Sequence, residues 1–150
     1  MMTNKETPDP KYNNISVSKF TGQILKKGKK FKAQKIVYQC FEIIKEKTRK
    51  DPIDIFDEAV RNVAPSLEVK AKRVGGANYQ VPVPVIGERR LTLAFRWIIQ
   101  GAKSKKGKNM ASALALEIID AAKKQGSAIR TRDNIHKMAE ANKAFAHFAR

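Results

Sequence analysis

Between Leu67 and Val85 the chain changes its period, and that change limits the folds open to it. Leu67, Val69 and Ala71 alternate with Glu68, Lys70 and Lys72, and Tyr79, Val81, Val83 and Val85 alternate with Gln80, Pro82 and Pro84. A period of two belongs to a strand, and the Gly75, Gly76 pair between the runs predicts a β-hairpin over about 67–86. Pro82 and Pro84 have no N–H for a further strand to use, so the ribbon stays two-stranded. Such a ribbon is marginal in water by itself and needs a body at its base or a partner at its tip. Leu67, Val69, Val83 and Val85 are expected to root it, with Lys70, Lys72 and Arg73 facing outward.

Elsewhere the period is helical. A short pattern from Phe20 to Leu25 is followed by KKGKKFK, where Lys26, Lys27, Lys29, Lys30 and Lys32 surround Gly28 in the densest basic cluster of the chain. Ile36, Val37, Cys40, Phe41 and Ile44 then share one stripe, and Lys45 and Lys47 stand where they complement the helix dipole. Asp51 and Pro52 read as an N-cap with proline at the first helical position. Phe56, Ala59, Val60 and Val63 extend that helix over about 53–64. Beyond Arg89 and Arg90, Leu91, Ala94, Phe95, Trp97 and Ile98 form a wide apolar face that ends at KSKKGK. Asn109 is expected to cap the next helix, whose stripe is Met110, Ala113, Leu114, Ile118 and Ala121 and whose stop is Gly126. Ser127 or Thr131 is expected to cap a last helix with Ile135, Met138, Ala139, Asn142 and Ala146 on one face, running nearly to Arg150. The fold class expected is mainly α: a single domain of about six helices over 15–150 with one protruding β-hairpin arm, preceded by a polar N-terminal extension at 1–14.

Charge decides the class of partner. The chain has 150 residues, 31 Lys and Arg against 14 Asp and Glu, and a formal net charge of +17. A field of that size favours a polyanion, with nucleic acid ahead of an anionic membrane surface. Half of the acidic residues lie between Glu42 and Glu68, so the charge is segregated along the chain. The apolar runs are far shorter than the roughly 20 residues a membrane-spanning helix needs. The single cysteine, Cys40, forms no intramolecular disulfide, which fits a cytoplasm, stroma or matrix.

Catalytic chemistry has little material here. His136 and His147 are the only histidines, and Cys40 lies on an apolar stripe where a buried thiol is inert. Gly75 and Gly76 lack the lysine-serine ending of a phosphate loop and precede a strand. No enzyme activity, metal or cofactor is expected.

What recurs is basic residues at the junctions: Lys26 to Lys35, Lys70 to Arg73, Arg89 and Arg90, Lys103 to Lys108, Arg130 and Arg132. A single surface lysine mostly serves solubility; as a set they can neutralise phosphates and release counterions. Tyr79, near the hairpin tip beside Arg73 and Asn78, can either stack on a base or pack across to the other strand. Asn142 interrupts an apolar stripe among Lys143, His147 and Arg150, where capping or an interhelix hydrogen bond is expected ahead of RNA contact.

The same residues carry a family resemblance. KRVGGANYQVP (Lys72 to Pro82), FRWII (Phe95 to Ile99) and MAEANKAFAHF (Met138 to Phe148) stand in order with PDPKY, GKK at Gly28 to Lys30, IVY at Ile36 to Tyr38, and DAAKKQGSAIRTRDNIHK. From about Pro8 to Arg150 the chain resembles the bacterial-type small-subunit ribosomal protein seven family. The resemblance implies a helical domain with a β-hairpin, monomeric within the ribosome, bound to the 3′ major domain of the small-subunit ribosomal RNA and organising the head. It also implies a position near the exit-site tRNA and mRNA and contact with neighbouring proteins of head and platform. Carried over by position, the ribosomal RNA contacts are Lys26, Lys27, Lys29, Lys30, Lys32, Lys35, Lys70, Lys72, Arg73, Arg89, Arg90, Arg96, Arg130, Arg132, Lys137, Lys143 and His147. Gly75, Gly76, Asn78, Tyr79 and Gln80 would lie near the exit-site ligands. The location implied is a cytoplasmic ribosome, with an organellar one left open. Where the family opens with an arginine-rich leader, this chain has Lys5 and Lys11 among Glu6 and Asp9.

An alternative reading is an architectural DNA-binding protein, whose β arm reaches into a minor groove. Its weakness is the amount of apolar helix, enough for a monomeric core. Membrane-surface binding is the third reading, disfavoured because the basic residues sit at loops and ends and not along one amphipathic face.

Overall fold

The computed structural model describes residues 7–25 and 28–149. In chain order it holds α1 (Ile15–Ile24), α2 (Lys30–Thr48), α3 (Pro52–Val63), β1 (Leu67–Val74), β2 (Ala77–Pro84), α4 (Glu88–Lys103), α5 (Met110–Ala122), α6 (Ser127–Ala141) and a closing 3-10 helix (Lys143–Ala149). Among the described residues it is mainly α, with one two-stranded antiparallel sheet. Local side-chain caps start three of the six α-helices. The Asn14 side chain accepts from the Val17 N–H at 3.1 Å, so α1 begins five residues before the apolar pattern at Phe20. Asp51 accepts from the Ile53 N–H with Pro52 in the first turn, and Asn109 accepts from the Ser112 N–H.

The stretch expected to be a polar extension is described from residue 7, and it lies on the body. Asp9 is 2% exposed. Its carboxylate accepts from the Lys11 and Tyr12 N–H groups and from the Tyr38 hydroxyl at 2.9 Å, which ties PDPKY to α2.

Apolar stripes from α1 to α6 meet in one core. Helix α5 is its centre: Ala113, Leu114, Ala115, Ile118 and Ala121 are buried as it packs against α2, α3 and α4. Phe20, Phe41, Phe56 and Phe95 are fully or almost fully buried, with the Phe56 ring 5.1 to 6.0 Å from the other three. Each such ring contributes roughly 2–3 kcal/mol by burial.

Two expectations about the last helix are corrected. Neither Ser127 nor Thr131 caps it with a side chain: Gly126 takes the N-cap position at φ 94°, and a residue from α5 supplies the acceptor. Glu117, fully buried, accepts from the Ala128 N–H at 2.7 Å. A cap delivered from another helix leaves no local signature. The helix also stops at Ala141, where the Asn142 N–H closes on the Met138 carbonyl, and the chain tightens into a 3-10 helix instead of reaching Arg150. With three residues per turn, Phe145 and Phe148 lie one above the other. Both rings then meet Tyr79 at 5.0 Å. Ala146 therefore does not share the α6 face with Ile135.

Candidate nucleic-acid interface

The hairpin register sorts its side chains. Leu67 pairs with Pro84, Val69 with Pro82, Ala71 with Gln80 and Arg73 with Asn78 on one face; Glu68 pairs with Val83, Lys70 with Val81 and Lys72 with Tyr79 on the other. Val69 and Val83 thus stand on opposite faces, and the expected root is revised: Val81, Pro82 and Val85 are buried, while Leu67, Val69 and Val83 are only partly so. Nor do Lys70, Lys72 and Arg73 share a face. Lys70 and Arg73 are exposed on opposite sides, and the Lys72 ammonium donates to the Phe148 carbonyl. Gly75 and Gly76 turn the tip at φ 57° and 82°, which an L side chain tolerates poorly.

Several expected RNA ligands hold the arm onto the body. Arg89 grips the Glu68 carboxylate through Nε and Nη2 at 3.3 and 3.2 Å. Arg90 Nε donates to the Pro65 carbonyl at 3.1 Å, and His136 Nε2 accepts from the Ser66 N–H at 3.2 Å. That bond needs an unprotonated Nε2; burial first, and the nearby Arg132 second, lower the His136 pKa, opposed by Asp133. Arg132 donates to the Asn62 carbonyl and to Asp133 Oδ1, while the Asn62 amide donates to the Ala121 and Ala122 carbonyls at the end of α5.

Other members of the set reach solvent. Lys29, Lys30, Lys32 and Lys35 are exposed around the start of α2, whose first turn holds no acidic residue. Cations at a helix N-terminus oppose the macrodipole, so this arrangement costs the fold a little and favours an external anion. Arg96 on α4 and Arg130 and Lys137 on α6 are exposed, with Arg130 also donating to Ser127 Oγ. Lys143 pairs with Glu140 at the surface, and His147 Nδ1 lies 3.0 Å from the Ala144 carbonyl with its ring against Phe148. Lys26 and Lys27 lie outside the described residues.

Four residues escaped the sequence reading. Glu117 is a lone carboxylate in the apolar run ALALEII; besides capping α6 it faces the Lys105 ammonium at 3.3 Å, so that lysine of the KSKKGK loop is structural. Gly101 is required beside it, since a Cβ there would stand 2.7 Å from Glu117 Oε1. Asp9 clamps the N-terminal segment. Phe31 stands 85% exposed among the lysines of α2, and its position in KKFK, off the apolar stripe, is the signal that could have marked it.

For catalysis the arrangement offers little. Burial raises the Cys40 thiol pKa far above its ordinary value, which keeps it protonated. Among the described residues no group of His, Cys, Asp and Glu could hold a metal, and no helix is long and apolar enough to cross a membrane.

Comparison with known proteins bears on the whole chain. The family model described as "Ribosomal protein S7p/S5e" matches residues 1–143. The chain is 56% identical over 140 residues to the small ribosomal subunit protein uS7 of Moorella thermoacetica, covering 93% of this chain and 90% of the relative. Proteins of that name from Desulforamulus reducens and Dechloromonas aromatica are 55% and 52% identical over 141 residues, again covering 94% of this chain and 90% of each relative.

Proposed function

The chain belongs to the ribosomal protein S7p/S5e family and is a structural constituent of the small subunit of the bacterial cytoplasmic ribosome; from that premise we propose how it is used there. It binds the 3′ major domain of the small-subunit ribosomal RNA and organises the head. The observation that carries this reading is the division of its basic residues. Arg89, Arg90 and Arg132 are engaged within the protein, whereas Lys29, Lys30, Lys32, Lys35, Lys70, Arg73, Arg96 and Lys137 extend into solvent from α2, the arm, α4 and α6. Arg89 and Arg90 set the posture of the arm, Arg132 ties α6 to α3, and the second group meets phosphates. Such contacts recognise folded RNA through its shape and backbone.

The arm tip lies near the exit-site tRNA and mRNA, offering Gly75, Gly76, Asn78 and Gln80. Tyr79 contributes indirectly, because its ring is held by Phe145 and Phe148. The partners on the protein side are neighbours of the head and platform. The protein works as a scaffold and not as an enzyme.

The test is binding to a transcript of the 3′ major domain over a range of salt. Affinity should fall steeply as salt rises. The Lys70→Ala, Arg73→Ala double variant should bind more weakly with its melting temperature unchanged and its salt slope reduced by about 2. Equal affinity for duplex DNA of the same length at every salt concentration would overturn the reading in favour of a DNA architectural role.

A further inference from the structure

Helix α2 carries a second, outward stripe. Phe31, Gln34, Lys35 and Tyr38 follow one another at helical spacing and line a groove of about 770 Å³, with Gln39 and Lys11 also on its walls. That volume lies within the range of sites for small organic groups. Its two aromatic residues differ in kind. Tyr38 is fixed, with its hydroxyl bonded to Asp9 and its ring faced by the Lys11 ammonium at 5.1 Å. Phe31 is 85% exposed and no ring of the protein packs on it among the described residues. A phenyl ring left in water forfeits about 2 kcal/mol of burial and adds nothing to the core.

We propose that this groove holds one unstacked nucleobase of the RNA, with Phe31 as the surface on which the base stacks. The inference deepens the RNA-binding reading above and rests on it. Charge argues for this occupant over an apolar protein segment: Lys35 lines the groove, and Lys29, Lys30 and Lys32 flank Phe31 along the chain, all exposed and with nothing acidic in the first turn of α2. A nucleotide brings both parts that such a place recognises, a flat π-face for the phenyl ring and a phosphate for the ammonium groups. The Gln34 and Gln39 amides each carry a donor and an acceptor, suited to the edge of a base. Lys11 is directed to Glu42, also on the groove wall, at 3.7 Å, so within the groove the phosphate contact falls to Lys35.

The experiment compares wild type, Phe31→Leu, Phe31→Ala and Phe31→Trp on a transcript of the 3′ major domain, at several salt concentrations. Because stacking releases no counterions, Phe31→Ala and Phe31→Leu should lose about tenfold in affinity with the salt slope unchanged, and Phe31→Trp should restore it. Melting temperatures should agree across the set, since the ring is outside the core. A 4-fluorophenylalanine at position 31 should shift upfield in its fluorine NMR signal when RNA is added, as a base ring stacks over it. Wild-type affinity in both Phe31→Ala and Phe31→Leu, or an unmoved fluorine signal in the bound complex, would overturn the stacking role and leave the RNA-binding reading standing. Absence of salt-dependent binding by the wild type would instead remove that reading itself.

Discussion

The helical body and the arm solve the problem of staying folded in different ways. In the body, stripes from six helices converge and three phenylalanines pack around a fourth, Phe56, so each element is held by several others. The arm has one partner strand and is held at two places. At its base, Arg90, His136 and Arg89 take hold of Pro65, Ser66 and Glu68; further out, Phe145 and Phe148 close on Tyr79 while Lys72 bonds the Phe148 carbonyl. Apolar burial adds up over many neighbours, whereas an arm in water depends on a few directed contacts. The difference shows where binding residues can be afforded: the exposed cations Lys70 and Arg73 project from an element the core does not need.

Three measurements bear on that contrast. The largest effect is expected for Phe56→Ala, which opens a cavity at the centre of the aromatic cluster. It should lower stability by about 3–5 kcal/mol in denaturant unfolding, with body and arm lost together. Phe148→Ala should cost about 1 kcal/mol, read as faster amide hydrogen exchange in β1 and β2 with little change in α2, α3 and α5. If it lowered the melting temperature as far as Phe56→Ala does, the arm would belong to the core and the contrast would collapse.

The smallest effect concerns the hinge between the two regions. The folded pKa of His136 lies below its ordinary 6.5, so the unfolded chain takes up the proton first as pH falls. The bond from Ser66 therefore contributes fully above about pH 6.5 and is lost as pH drops through the lowered folded value. Wild-type stability should fall relative to His136→Gln between pH 8 and pH 5. Parallel curves for the two proteins would show that this contact does not hold the arm.

Sequence and structure divide along the same line. The helices α2 to α5 were legible because periodic apolar residues, side-chain caps at Asp51 and Asn109 and basic C-terminal turns all act within a few residues. The hairpin was legible from its alternation, its glycines and its prolines. Among the site residues, the sequence showed which were basic without showing which were already engaged. Arg89 and Lys70 read alike along the chain, yet Arg89 meets Glu68, 21 residues away, and Lys70 is exposed.

By itself, then, the sequence determined a basic, mainly helical domain with one β arm, because spacing, turn chemistry and net charge are local or additive properties. Only the tertiary structure decided that Glu117 on α5 starts α6, that the chain leaves α-helical geometry at Asn142 to bring two phenylalanines onto Tyr79, and that three arginines serve the fold. Each of these joins residues far apart in the chain, and a contact of that kind exists only once the elements carrying it have packed.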